Sequence, residues 1–428
     1  MKPIKVGLLG MGTVGTGVLR IVEGHQDDLQ KQVGSLIRIE KVLVQDKSKA
    51  RRYPVEEGRI TDNAWDIVDD PAIDVIVEVM GGIEPAKTYM LAALEKGKHI
   101  VTANKDLMAL HGAEILAKAA EKHCDVFYEA SVAGGIPIIR TLIEGFSSDR
   151  ITKIMGIVNG TTNYILTKMS QEGASYADVL KEAQELGYAE SDPTSDVEGL
   201  DAARKMAILG TLGFHASLSL DDVQVKGISQ VSKEDILYGK SLGYEIKLLG
   251  IAERQDDMIS VGVQPTLVKK SHPLASVNGV FNAVYVYGEA VGETMFYGPG
   301  AGELPTATSV VADLVAVVRN LMLSVNGRRG FMPYKEKKLK TDDQITSKNF
   351  ILLHVEDKAG VLAQITQVFA QHEVSLESVL QHPNSSNPKA EIIIITHDAN
   401  RASMNKVLNH FESMDVIHAI QSVYRVEG

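Results

Sequence analysis

The sequence predicts an α/β protein in three parts: a doubly wound parallel sheet, a second α+β domain with a mostly antiparallel sheet, and a C-terminal unit of ferredoxin-like plan. Three observations predict it. Through about residue 145, short apolar runs alternate with helically spaced segments, the pattern of βαβ units feeding a buried sheet. After Phe146 the strand-like segments follow one another with turns between them, as antiparallel strands do. Beyond a basic, polar stretch at 334–348, residues 349–428 read β-α-β-β-α-β.

Length and composition bound the function. At 428 residues the chain exceeds one ordinary core, and 44% hydrophobic with 23% charged residues describes a folded protein. A formal net charge of −11 argues against nucleic acid and anionic membrane as partners, leaving small molecules and other copies of the chain. The single cysteine, Cys124, cannot form an internal disulfide, and no uninterrupted apolar run reaches membrane-span length. A cytoplasmic location is the default expectation.

The elements follow in order. "IKVGLLG", Ile4 to Gly10, suits a buried parallel strand and runs into a helical pattern through Gly10, Gly12 and Gly15, spaced G-x-G-x-x-G. One glycine turns the chain, one lets backbone amides approach a pyrophosphate, and one lets helix pack on strand, so the loop Gly10, Gly12, Thr13, Val14, Gly15 predicts dinucleotide binding. Further strands are expected at "IRIEKVLV", "IDVIVEVMGG", "HIVTANK" and "DVFYEASV". Ala103, Asn104 and Lys105 then fall at a carboxyl strand end, where such sheets bind ligands. After the second strand, "VLVQDKSKARR" offers Asp46 for a ribose hydroxyl and Lys47, Lys49, Arg51 and Arg52 for a 2′-phosphate. The neutral Gln45 and the surplus of cations favour NADP(H) over NAD(H), and both remain open.

The second domain, 146–302, opens with a strand and a turn at Asn159-Gly160, whose amides and the Thr161 and Thr162 hydroxyls suit a carboxylate at a helix start. Three strands follow, "EIKLLGIAER", "MISVGVQPTLV" and "NAVYVYGEA". A glycine-rich loop and long apolar helix over about 303–333 are expected to return and complete the first domain, 1–145. Residues 334–348 read as a linker.

The stretch "YAESDPTSDVEGLDAARK" crowds Glu190, Asp192, Asp196, Glu198 and Asp201 ahead of Lys205. A helix beginning near Asp196 places Asp201 and Lys205 at i and i+4 on one face. An exposed pair contributes only about 0.3 to 0.5 kcal/mol. Its alanine-rich surroundings, however, predict burial, and a buried lysine can titrate in the range of proton transfer.

That stretch, together with "TANK", "EASVAGGIP", "NGTTNYIL" and "GPGAGELPTATSV", resembles the homoserine dehydrogenases, and "VEDKAGVLAQI" resembles an ACT domain, so the likeness spans essentially the whole chain. The resemblance implies a Rossmann-type first domain, a catalytic second domain and a regulatory ACT unit at 349–428. It implies interconversion of L-homoserine and L-aspartate 4-semialdehyde with NAD(P)(H), on the route to threonine, methionine and isoleucine. By motif position, Lys205 and Lys105 are the catalytic pair, supported by Asp201. One lysine moves the proton and the other orients the substrate oxygen; sequence leaves the assignment open, with Lys205 favoured as acid/base. Glu190 is expected at the substrate ammonium, with Asp196 and Asp201 fixing substrate and lysine, while Asp192 and Glu198 are left to a solvated face. Ala103 and Lys105 lie near the nicotinamide, and Gly300 and Gly302 help close the site. The family's sodium loop corresponds to Glu129, Val132, Gly134 and Ile136, acting mainly through backbone carbonyls. The resemblance further implies a homodimer or dimer of dimers, with threonine a candidate effector at the "DKAG" turn of the ACT unit. Two rivals share parts of this pattern: another lysine-dependent two-domain oxidoreductase, which has no use for the acids at 190, 196 and 201, and an amino-acid sensor with an inert body, against which both lysines speak.

Overall fold

The computed structural model describes residues 3–327, 331–383 and 389–428. By packing, the chain forms two compact units: Met1–Ile154, Arg204–Asp222 and Phe281–Lys337 make the first, and Met155–Ala203, Val223–Val280 and Lys338–Gly428 the second.

In the first unit, strands β1 (Ile4–Leu9), β2 (Ile37–Leu43), β3 (Ile60–Thr61), β4 (Val75–Glu78), β5 (His99–Thr102) and β6 (Val126–Phe127) form a parallel sheet in the order β3-β2-β1-β4-β5-β6. The order reverses between β1 and β4, so a ligand crevice opens beyond their carboxyl ends. Val6, Leu8, Val75, Val77 and Val101 are fully buried, as strands covered on both faces require. One covering element is the returning helix Glu303–Leu323, whose Ala307, Val310, Leu314, Val317 and Val318 join that core. Its length and apolarity would also suit a membrane span, yet 56% of its most apolar window is buried inside the protein. The helix Thr13–Gly24 packs against it so closely that a Cβ at Gly17 would lie 2.5 Å from the Glu303 carbonyl oxygen.

The strand Phe281–Gly288, read from sequence as part of the second domain's sheet, does stand in the sheet that holds Tyr244–Gln255 and Met258–Lys269, and with Gly292–Pro299 it forms a hairpin at one end of it, although packing counts this hairpin with the first unit. Its turn region is fixed there by Asp149, whose carboxylate accepts from the amides of Ala290 and Val291 at 2.9 Å each.

In the second unit, Tyr244–Gln255 pairs antiparallel with Met258–Lys269, which pairs in parallel with Ile417–Glu427. Ile417–Glu427 pairs antiparallel with Thr346–Glu356, followed by Lys389–Thr396 and Leu376–Pro383. With the helices Val361–Gln371 and Arg401–Glu412, the last four strands make the βαββαβ unit around its own core of Ile351, Leu353, Ile365, Phe369, Val407 and Phe411. Packing thus yields two units where sequence suggests three, because the final strand extends the catalytic domain's sheet. The join is polar as well: the fully buried Asp235 accepts from Tyr424 at 2.8 Å and from Ser422, and Arg425 pairs with Glu253 at 2.8 Å. The expected linker is likewise docked, since the Ile259 amide donates to Lys338 and the Ile259 carbonyl accepts from Lys340.

Candidate active site

The dinucleotide loop sits at the switch point. Gly10 has φ +106°, a conformation that glycine alone adopts freely, and a Cβ at Gly15 would lie 2.1 Å from the Gly10 carbonyl oxygen. Nothing lies within 4 Å of a Cβ built at Gly12, the N-cap of Thr13–Gly24, so the helix start with Thr13 and Val14 is open to a phosphate. Gly10 and Gly15 are thus required by the loop's own geometry, while Gly12 leaves open the space that a pyrophosphate would fill.

Beyond β2, the Asp46 carboxylate accepts from the Ser48 amide at 2.8 Å and the Ser48 hydroxyl at 2.6 Å. These bonds hold its carboxyl below the ordinary range. Arg51 donates back to the Asp46 carbonyl, and Lys47 pairs with Asp62 at 2.7 Å. Of the four sequence-predicted cations, these two are thus already engaged with the protein's own groups.

Lys105 opens the helix Lys105–Glu121, and its position is fixed from below. Asn104 caps that helix, accepting from the Leu107 amide at 3.0 Å while its side-chain amide donates to Gly82 at 2.6 Å. The Asn104 amide donates to the Thr102 hydroxyl at 3.0 Å, and that hydroxyl donates to Glu78 at 2.7 Å. Glu78 is fully buried at the end of β4, and burial pushes its carboxyl above the usual range despite bonds from Thr102 and Met80. Ala103 joins β5 to this network through its amide, which donates to the Glu78 carbonyl at 3.2 Å.

Lys205 lies on Leu200–Phe214 and is 9% exposed. The helix does not begin near Asp196 as expected: a single turn, Thr194–Val197, is separated from it by Gly199 at φ +81°. Asp201 and Lys205 remain one turn apart on the same helix, and Ala203 and Ala207 are buried as the pattern predicts. The sequence neighbours of Lys205 and Lys105 are paired: Arg204 Nε lies 2.8 Å from Asp106 Oδ1.

The acids divide by environment. Asp201 is 2% exposed, and the Asn159 side-chain amide donates both to Asp201 Oδ2 at 2.9 Å and to Asp196 Oδ1 at 2.7 Å. Asn159 is also the N-cap of Gly160–Glu172, accepting from the Thr162 amide at 2.9 Å. Glu190 is exposed, and its carbonyl accepts from Gln184 at 3.1 Å. Asp192 closes its own turn on the Thr194 amide at 3.1 Å, and Glu198 is half-buried beside Gly227. The Thr161 and Thr162 hydroxyls, read from sequence as anion ligands, instead donate to Tyr188 and to Asn159.

A glycine loop shaped for a dinucleotide points to a nicotinamide-dependent oxidoreductase. Known proteins agree. The homoserine dehydrogenase family profile matches residues 137–315, its NAD-binding domain profile matches 10–129, and the ACT domain profile matches 350–415. The chain is 56% identical over 429 residues to homoserine dehydrogenase of Bacillus subtilis, covering 100% of this chain and 99% of that one. This chain belongs to the homoserine dehydrogenase family. It is an oxidoreductase that interconverts L-homoserine and L-aspartate 4-semialdehyde, with a dinucleotide-binding domain and an ACT domain. A crystal structure of a homoserine dehydrogenase from Thiobacillus denitrificans superposes with TM-score 0.94 at 41% identity, covering 100% and 99% of the two chains. A hyperthermophilic archaeal homoserine dehydrogenase solved in complex with NADPH matches at TM-score 0.62 and 25% identity, over 76% of this chain and 100% of that one.

In this homoserine dehydrogenase fold, the loop from Glu129 to Ile136 is buried, with Val132 and Ile136 at 0% and 2% exposure. Both Glu129 carboxylate oxygens are committed to amides, of Ile139 at 2.6 Å and Arg140 at 2.8 Å. The Gly134 carbonyl accepts from Ser309 at 2.7 Å and the Ile136 carbonyl from Ile138 at 2.9 Å, each keeping a second lone pair. The loop offers oxygen donors through its carbonyls, which fits a hard monovalent cation better than a transition metal. Among the described residues, no group of three or more His, Cys, Asp or Glu stands together as a metal site. Gly300 serves close packing: a Cβ there would meet Asn282 at 2.1 Å, and its own carbonyl abuts Gly134. Gly302, at φ +120°, is the N-cap of Glu303–Leu323.

The residues that sequence reasoning missed are mostly supports. The supporting roles of Asn104 and of the Asn159 side chain went unread, as did Glu78 and Asp313, whose carboxylate accepts from the Glu129 amide at 2.7 Å. An acid inside the apolar run "VIVEV" and an asparagine directly before each helix start were the available signals.

Proposed function

We propose that Lys205 is the general acid/base and that Lys105 orients the reacting oxygen, with homoserine held by acids through its ammonium. In the oxidative direction, the Lys205 amine takes the hydroxyl proton as the carbonyl forms, and in the reverse direction its ammonium returns that proton to the aldehyde oxygen. Lys105 donates to the same oxygen and stabilises the charge developing on it. Glu190 and Asp196 take the substrate ammonium, while Asp201 orients Lys205 one turn ahead of it. Gly10, Gly12, Thr13, Val14 and Gly15 would hold the nicotinamide cofactor, which when bound would supply the acceptor or donor of hydride. The observation that carries this reading is the Asn159 amide bridging the half-buried Asp196 and the buried Asp201, whose two hydrogen bonds offset the repulsion between neighbouring carboxylates. The test is steady-state kinetics of Lys205→Ala: turnover falls by orders of magnitude with cofactor affinity kept, and the converse pattern overturns it.

The cofactor in this proposal is NADP(H), with NAD(H) the alternative. The neutral end of β2 and an Asp46 carboxylate already bonded to Ser48 support it, with Lys49 and Arg52 supplying positive charge and Lys47 and Arg51 joining them where a phosphate replaces Asp62 and the Asp46 carbonyl as their partners. A larger kcat/KM for NAD+ than for NADP+ would reverse it. Sodium at Glu129, Val132, Gly134 and Ile136 is proposed as a structural ion, and a rise in thermal midpoint in sodium chloride over choline chloride is the result expected. Gly300 and Gly302 are assigned to closing the site beside the cofactor.

A homodimer is proposed, formed along the sheet, with the ACT units able to extend it to a dimer of dimers; sedimentation velocity reads the stoichiometry. The ACT turn ends in Gly360 at φ +93°, where the helix Val361–Gln371 starts without a side-chain cap. A small amino acid such as threonine suits that turn, and unchanged activity across a threonine titration would count against it.

A further inference from the structure

Lys247 is 2% exposed in the middle of Tyr244–Gln255, and nothing in the chemistry described above employs it. Its ammonium donates to the Val277 carbonyl at 2.5 Å, to Asn278 Oδ1 at 3.1 Å and to Asn163 Oδ1 at 3.3 Å. Asn163 in turn donates to the carbonyls of Val277 at 3.2 Å and Gly279 at 3.0 Å. Thr167 completes the web, donating to Asn163 at 2.6 Å and accepting from the Gly279 amide at 3.1 Å.

This web fastens the segment Val277–Val280 along the helix Gly160–Glu172. The segment ends against the helix start: a Cβ at Gly160 would lie 2.7 Å from the Val280 carbonyl oxygen. Asn163 is one turn from Asn159, its amide donating to the Asn159 carbonyl at 3.3 Å. Asn159 is the residue whose amide holds Asp196 and Asp201. A continuous chain of buried polar contacts therefore leads from Lys247 to both carboxylates.

We infer that Lys247 is a positioning residue for homoserine, acting through Asn163 and the Val277–Val280 segment to hold Asn159 and its two acids in register. The inference rests on the reading that Asp196 takes the substrate ammonium and Asp201 orients Lys205. Three acceptors require three N–H donors, so the arrangement needs the charged ammonium; a neutral amine has two. Burial pushes the Lys247 ammonium down to about 8, with Glu245, one strand neighbour away and bonded to Ser170, the charged group opposing that shift. The other groups it contacts, Asn163, Asn278 and the Val277 carbonyl, are neutral.

The test is full steady-state kinetics of the intact enzyme as Lys247→Met, with Asn278→Ala as a milder variant that keeps the lysine and removes one acceptor. Loss of such contacts predicts a rise in KM for homoserine of about threefold to tenfold, an unchanged KM for the nicotinamide cofactor, and a smaller change in kcat. In the parent enzyme KM for homoserine should also climb above about pH 8, and Lys247→Met should lack that climb. Unchanged homoserine KM in both variants, or equal rises in both substrates' KM with the pH dependence intact, would overturn the inference. Asp196→Asn run in parallel separates the two levels. If it leaves homoserine KM unchanged, the carboxylate reading fails; if it raises KM while the Lys247 and Asn278 variants do not, the positioning role alone fails.

Discussion

Replacing Asn159 with Asp separates two jobs that one side chain performs. As an N-cap, Asp is equivalent to Asn, so the bond accepted from the Thr162 amide at 2.9 Å survives. As a donor it fails: the amide that bonds Asp196 at 2.7 Å and Asp201 at 2.9 Å becomes a third carboxylate at the same distances. Each hydrogen bond to a charged group contributes about 1.5 to 3 kcal/mol net, so loss of one or both predicts destabilisation of about 1.5 to 6 kcal/mol at neutral pH. Three carboxylates cannot all ionise at this spacing, so one takes up a proton, and its folded pKa rises above its unfolded value. The sign follows from proton binding: the folded variant holds the extra proton through the window between those values, so its deficit grows as pH rises through it and shrinks toward acid. The assay is urea unfolding of parent and variant from pH 5 to 8, alongside kcat/KM for homoserine. A deficit below about 1 kcal/mol that does not vary with pH would refute the reasoning, because it would mean the Asn159 donors contribute nothing beyond the cap.

Other substitutions test other parts. Gly15→Ala drives a Cβ to 2.1 Å from the Gly10 carbonyl, so the loop must shift, and fluorescence titration should register at least about a tenfold loss of cofactor affinity. Glu190→Gln should raise KM for homoserine with little change in kcat; a change confined to cofactor affinity would remove Glu190 from the ammonium pocket. Burial pushes the Asp313 carboxyl up to about 7, even with Arg140 at 2.7 Å. Its ionisation is therefore opposed in the fold, and this group costs stability increasingly as pH rises from its unfolded value near 4 toward 7. Asp313→Asn should flatten that slope in thermal unfolding, and an unchanged slope would show that Asp313 does not carry it.

The parallel sheet was legible because its strands are nearly continuous apolar runs ended by glycines, and the glycine loop because each glycine has a separate steric duty. The burial of Lys205, Ala203 and Ala207 followed from helical period and the alanine-rich surroundings. What stayed hidden depends on contacts between segments distant in sequence. Asn159 lies 37 and 42 residues from the acids it bonds, and Glu129 lies 184 from Asp313, separations at which sequence carries no local signal. The start of Lys205's helix was misjudged because a single turn, Thr194–Val197, mimics the beginning of the longer helix, while Gly199 breaks the two apart. The strand at 281–288 was legible as a member of the mostly antiparallel sheet, while its pairing with Gly292–Pro299 was not, since a strand's partner is chosen by the tertiary fold and not by its own alternation.

The most direct test of the central claim is the turnover of Lys205→Ala on L-homoserine at saturating cofactor, with and without a small primary amine such as methylamine. If Lys205 moves the proton, turnover drops by about 10² to 10⁴-fold, cofactor affinity stays within about twofold, and the amine restores part of the rate in proportion to its free-base concentration. Turnover close to that of the parent enzyme, or a loss the amine cannot relieve together with weakened cofactor binding, would contradict the account.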